Sequence, residues 1–86
     1  MTEFYMGCDV SKGYADFIVL NRKKRPIEKS FQLDDTFEGH NAFTTYLGNF
    51  FKQHPGSILH IGVESTGGYE DNWYVLFLRL EKECIP

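Results

Sequence analysis

Two spacings of hydrophobic residues divide the chain into elements. Residues 3–10 (EFYMGCDV) are largely apolar with one acid, Asp9, near the end, and residues 14–20 (YADFIVL) are rich in β-branched and aromatic side chains. Only Ser11, Lys12 and Gly13 separate these runs, which predicts a hairpin. The polar stretch 21–26 (NRKKRP) closes on a proline. Ile27, Lys29, Phe31 and Leu33 follow at near-alternating positions and predict a third strand, at a sheet edge. Asp34, Asp35 and Thr36 supply helix-starting side chains. Beyond them Phe43, Tyr46, Leu47, Phe50 and Phe51 recur in steps of three and four, the buried stripe of a helix that reaches His54.

Pro55 and Gly56 stop that helix. The run 58–63 (ILHIGV) is short and mostly apolar, as expected of a strand covered on both faces in the middle of a sheet. A turn cluster of Ser65, Thr66, Gly67 and Gly68 then precedes a second helical stripe of Tyr69, Trp73, Leu76, Phe77 and Leu80. Residues 84–86 read as the start of another strand. The order is β-β-β-α-β-α in one module without repeats or linkers, and the pattern predicts a fold truncated before completion. A helical crossover after a three-strand meander lets the fourth strand lie parallel beside the first. The expectation is an α/β fold whose mixed sheet has the spatial order 3-2-1-4.

With 42% hydrophobic and 24% charged residues among 86, the composition is that of one small globular domain. A chain of this size buries only about 60–65% of the surface its unfolded state exposes, so the loss of one element is felt. Aromatic residues make up 16%, enough to leave an apolar patch wherever a layer is missing, which predicts homo-oligomers. No run approaches the roughly 18 apolar residues of a membrane span, and residues 1–12 lack the order of a secretion signal, so a cytoplasmic protein is expected. Cys8 and Cys84 have no metal-ligand spacing and read as reduced, structural thiols. A net charge of −3 argues against general DNA-backbone binding by these residues alone.

The candidate chemistry lies in two acids. Asp9 ends the first predicted strand and Glu64 follows the fourth, and the carboxyl ends of strands are where α/β sheets build sites. Side by side, two carboxylates make a hard-oxygen site for Mg²⁺ or Mn²⁺, ions that in pairs activate a water or hydroxyl against a phosphodiester. A full two-metal site takes three or four carboxylates, so half of one is visible. Acids are also common at strand ends simply because those ends meet water, and spacing alone leaves both readings open.

The segments GCDVSK (7–12) and VESTGGY (63–69) resemble the two amino-terminal signatures of the insertion-sequence-110 transposase family, and the likeness spans essentially the whole chain. The chain is similar also to the related pilin-gene invertases. The resemblance implies an RNase H-like, RuvC-type domain with a D-E-D-D metal set, of which residues 1–86 are the amino-terminal part. It makes Asp9 the first acid, Glu64 the second, and both catalytic metal ligands for Mg²⁺ or Mn²⁺. The other two acids and a carboxy-terminal domain with a serine nucleophile would follow Pro86, so these residues alone are expected to be inactive. For the parent protein the resemblance implies DNA transposition or recombination by metal-dependent strand cleavage and transfer, with DNA as substrate and a guide RNA as partner.

Other features carry two readings each. Ser11 and Lys12 could touch a scissile phosphate or be plain turn residues. Thr66 and Gly67, ahead of a helix, could face an anion, though a strand-to-helix turn needs the same residues. Arg22, Lys23, Lys24 and Arg25 could grip a nucleic-acid backbone or serve as solvated charge at a hairpin tip. The three histidines show no zinc spacing, and Trp73 reads as core. Two other functions fit the element order. An actin-like ATPase or sugar-kinase lobe would need glycine where Ser11 stands, and a two-lobed cleft that 86 residues cannot build. A non-catalytic module would bind through its sheet edge.

Overall fold

The computed structural model describes residues 2–65 and 67–83. Strands β1 (Glu3–Ser11) and β2 (Tyr14–Leu20) form the expected hairpin. Its two-residue turn is Lys12 and Gly13, with Gly13 at φ 86°, a conformation that glycine adopts without steric cost. Then come β3 (Phe31–Asp34), α1 (Phe37–Gln53), β4 (Ile58–Ser65) and α2 (Asp71–Glu83). The sheet order is β3-β2-β1-β4, with β4 parallel to β1 and the other pairs antiparallel, the mixed α/β arrangement that the order of elements predicts.

Alternation along the strands decides which face is packed. Phe4, Met6, Cys8 and Val10 of β1 and Ala15, Phe17 and Val19 of β2 point to one side and are buried. Phe43, Leu47 and Phe50 of α1 and Trp73, Leu76 and Leu80 of α2 complete the same core. Phe17 links the layers, its ring centroid 5.2 Å from that of Phe43 and 5.3 Å from that of Trp73. Both helices therefore lie on one face. The opposite face, where Tyr5, Gly7, Asp9 and Asp16 are exposed, is covered by no element among the described residues.

Several boundaries differ from the expectations. β3 begins only at Phe31. Pro26 and Ile27 reach the sheet as an isolated bridge to Leu20 and a 3.0 Å hydrogen bond from the Ile27 N–H to the Val19 carbonyl, and Pro26 has no N–H with which to continue a ladder. Thr36 alone caps α1. Its backbone is extended at φ −135° and its hydroxyl accepts the Gly39 N–H at 3.1 Å. Asp34 stays in β3. Asp35 braces the domain: its N–H donates to the Gly13 carbonyl at 2.8 Å, and its carboxylate meets His40 Nε2 at 2.7 Å and Asn72 Nδ2 at 3.2 Å. Tyr69 precedes α2 and is exposed rather than part of its buried stripe.

The largest difference concerns β4. Its apolar run predicts an interior strand covered on both faces, yet among the described residues it is an edge strand with one face open. Leu59, Ile61 and Val63 are half-buried towards the helices, while Ile58, His60, Gly62 and Glu64 are exposed. The predicted fifth strand falls at 84–86, outside the described residues.

Candidate functional site

The two acids of the sequence reading come together. In the parallel ladder Asp9 stands opposite Glu64, both on the open face, at the carboxyl ends of β1 and β4. Neighbouring strands run about 4.8 Å apart, so the two side chains rise from adjacent backbones towards the same solvent. On the other side of Asp9 the antiparallel ladder places Asp16, whose Oδ1 accepts a 3.1 Å hydrogen bond from Gln32 Nε2 on β3. A polar row thus crosses the sheet as Gln32, Asp16, Asp9 and Glu64.

Below this row, Gly7 and Gly62 are partners in the β1–β4 ladder, with Ile18 on the far side of Gly7. The missing side chains leave a trough of about 640 Å³, walled by Asp9, Asp16, Glu64 and Ile18. Beyond Gly7 and Gly62 on the same face, the rings of Tyr5 and His60 stack at 5.1 Å, and His60 Nε2 lies 2.9 Å from Glu3 Oε1. That bond, more than any other influence, holds the Glu3 carboxyl below its ordinary 4.5. Cys8 sits between Gly7 and Asp9 but points into the core. Burial, followed by the charges of Asp9 and Asp16, pushes its thiol up to about 12, so it is no nucleophile.

Neither a protein-family model nor a curated protein matches the chain. The functional reading therefore rests on the residues themselves. Ser11 ends β1 half-buried, and Lys12 is exposed in the hairpin turn beside the acid row. Thr66 lies outside the described residues. Gly67 is exposed, and a side chain there would collide with the Tyr69 ring, which favours its reading as a turn residue. Ser65 also serves that turn: its hydroxyl accepts the Tyr69 N–H at 3.2 Å and holds the Glu70 carboxyl below its ordinary value. Arg22, Lys23, Lys24 and Arg25 are exposed in the β2–β3 connection, where the Asn21 side chain accepts the Lys23 and Arg25 N–H groups. That connection leaves the far end of β2, about 14 Å along the strand from Asp16. The basic run is not brought to the acids.

Asp16 is not among the acids that the strand-end pattern marks, although the sequence carries a signal for it. A two-residue turn at Lys12 and Gly13 fixes the hairpin register, and that register sets Asp16 opposite Asp9. Its presence does not complete a three-ligand site, because among the described residues no three His, Cys, Asp or Glu side chains are grouped to hold a metal ion. The donor set of Asp9 and Glu64 nonetheless fits a small hard cation. Mg²⁺ is commonly held by one or two carboxylates and keeps several waters, and the open face gives those waters room.

Proposed function

We propose that Asp9 and Glu64 hold Mg²⁺ or Mn²⁺ and that the chain is the amino-terminal part of an RNase H-like domain in a DNA transposase or recombinase. One observation carries this reading: the pairing of Asp9 with Glu64 on the open face of a parallel strand pair. The sheet order suits an RNase H-like fold, and the paired acids suit the first two positions of a D-E-D-D set. When bound, such ions activate a water or hydroxyl against a phosphodiester and stabilise the leaving oxygen.

The chain's own residues bind and orient. Asp9 and Glu64 would hold the cation and balance its charge. Gly7 and Gly62 keep the face beneath clear, so that a sugar-phosphate strand can approach. The Ser11 hydroxyl and Lys12 ammonium, beside the acids, hold phosphate oxygens. Arg22–Arg25 add backbone contacts farther along the strand. The two remaining carboxylates of a two-metal site, the serine nucleophile and the guide RNA contacts belong to other parts of the parent protein.

The test is a titration of the chain with Mg²⁺, or with Mn²⁺ as a paramagnetic probe, followed by NMR and repeated on Asp9→Asn and Glu64→Gln. Shifts or broadening confined to the neighbourhood of Asp9 and Glu64, and lost in both variants, are expected. A folded sample with no localised change would refute the shared site. The free edge of β4 favours a second reading, a non-catalytic module that binds by strand pairing, and association indifferent to divalent ions would support it.

A further inference from the structure

Asp35 joins the two chain segments that lead away from the acids. Past Asp9 the chain enters the Lys12–Gly13 turn, where the Gly13 carbonyl accepts the Asp35 N–H at 2.8 Å. Past Glu64 it turns towards α2, with the Ser65 hydroxyl accepting the Tyr69 N–H at 3.2 Å. Asn72, in the first turn of α2, donates to Asp35 Oδ2 at 3.2 Å, and Asp35 Oδ1 meets His40 Nε2 of α1 at 2.7 Å. Among the described residues the Asn72 bond is the one side-chain hydrogen bond between α2 and the rest of the domain. The core contacts of α2 are apolar, through Trp73, Leu76 and Leu80. Such attraction is non-directional and sets the depth of a helix more firmly than its place along its own axis. The base from which Asp35 acts is rigid: Asp34 pairs with Tyr14 in the β2–β3 ladder, and Gly39 of α1 approaches the Asp34 carbonyl too closely to admit a Cβ.

We infer that Asp35 is a positioning residue for the acid pair: through Asn72 it sets the axial place of α2, and the turn between α2 and Ser65 passes that placement to Glu64. Glu64 is the last residue but one of β4, and its ladder with β1 ends one pair later, at Val10 and Ser65. Its place beside Asp9 therefore depends on where the chain goes next. The Asp35 backbone is tied at the same time to the hairpin that carries Asp9, so one residue is the reference for both acids. What this does for a cation rests on the metal reading above: Mg²⁺ demands near-ideal octahedral geometry, and two carboxylates share it only at a held separation. The shape of the Asp35 side chain matters here and its charge does not. An amide in its place accepts from Asn72 through its oxygen and donates through its nitrogen to Nε2 of a neutral His40.

The test compares Asp35→Ala, Asp35→Asn and Asn72→Ala with the parent chain by amide hydrogen exchange without metal and by Mn²⁺ titration, both read by NMR. Asn72→Ala does not rely on the Asp35 variants folding: it leaves Asp35 its bonds to His40 and Gly13, and alanine favours the helix. The Ile58 N–H donates to the Thr2 carbonyl, and alternation along the parallel ladder gives the Glu64 N–H to Cys8 and the Val10 N–H to Glu64. Both alanine variants are expected to speed exchange at Glu64 and Val10 roughly fivefold, the worth of one hydrogen bond, while Met6 and Gly62 lower in the same ladder keep their rates. The Mn²⁺ dissociation constant is expected to rise about tenfold in the same two variants, and Asp35→Asn to match the parent in both measurements. Exchange that quickens equally at all four amides, or at none, overturns the inference, because Asp35 then contributes general stability alone. An unchanged Mn²⁺ affinity in both alanine variants overturns it as well, and so does equal weakening by Asp35→Asn and Asp35→Ala, which would make the effect one of charge. If the parent itself shows no localised Mn²⁺ broadening, the metal reading fails, and the exchange pattern alone decides whether Asp35 places Glu64.

Discussion

Gly62 offers a test of whether the open face is open. Glycine inside a strand is destabilising because it loses the most backbone freedom on folding, by about 0.5–1 kcal/mol relative to alanine. Among the described glycines only Gly13, Gly56 and Gly68 have positive φ, so alanine at 62 meets no backbone penalty. A Cβ built there has nothing within 4 Å. The Gly62→Ala variant should therefore be more stable than the parent by about that amount, which for a domain of this size raises Tm by roughly 2–8 °C. Thermal and urea denaturation measure this, and an unchanged m-value would show that variant and parent expose the same surface on unfolding. A loss of stability would refute the reasoning, since it would mean that something lies against the Gly7–Gly62 strip.

Trp73 is fully buried, and its indole Nε1 has no hydrogen-bond partner among the described residues. Trp73→Ala should cost about 3–5 kcal/mol, a large part of a total stability on the order of 4–13 kcal/mol, and Trp73→Phe less than half as much because the unpaired donor goes with the indole; paired melting curves would refute this if the two variants were equal. Thr36→Ala should cost about 1 kcal/mol in urea denaturation, and an unchanged midpoint would deny the capping role given to the 3.1 Å bond from Gly39. Cys8 should resist maleimide at pH 8 in a Cys84→Ser background until the protein unfolds, since its thiol is buried and pushed up to about 12; prompt labelling of the native protein would contradict this. The Glu3 carboxyl lies below its ordinary 4.5 in the folded chain, so the stability it contributes is present above that value and is lost as pH falls through the folded value. His60→Ala should flatten the loss of Tm below pH 4.5, and an unaltered acid limb would show that the bond contributes nothing.

The sequence was most informative where chain geometry leaves few choices. Three residues between two apolar runs can only be a hairpin. A helix between a meander and one more strand leads to a parallel return beside β1, and from there the meeting of Asp9 with Glu64 follows. It was least informative where one residue type serves several purposes. Asp34, Asp35 and Thr36 are all good cap residues, and only the path of the chain gives the cap to Thr36 and leaves Asp35 to join His40, Asn72 and the Gly13 turn. In ILHIGV the apolar count suggested two covered faces. The outward positions, however, are held by His60, Gly62 and Glu64, and that alternation already pointed to one open face. Asp16 is not legible from composition because it sits in a strand whose neighbours are apolar, where its partner is known only once the turn length is fixed.

The two faces of the sheet obey different rules. Among the described residues the packed face has no buried polar or charged residue, and its core is filled by close aromatic contacts. On the open face, Asp16, Asp9 and Glu64 stand in adjacent register, an arrangement in which like charges directly opposite each other are destabilising. Two glycines lie side by side where β-formers would be more stable, and Gly62 is forced by no neighbour. A small domain has little stability to give up. Such departures from local rules gather at functional places, and here they fall within one patch at the ends of two parallel strands. A core requirement explains neither the acids nor Gly62. A cation would relieve the repulsion among the carboxylates and a substrate strand would occupy the glycine strip, so the proposed chemistry explains both with the same residues.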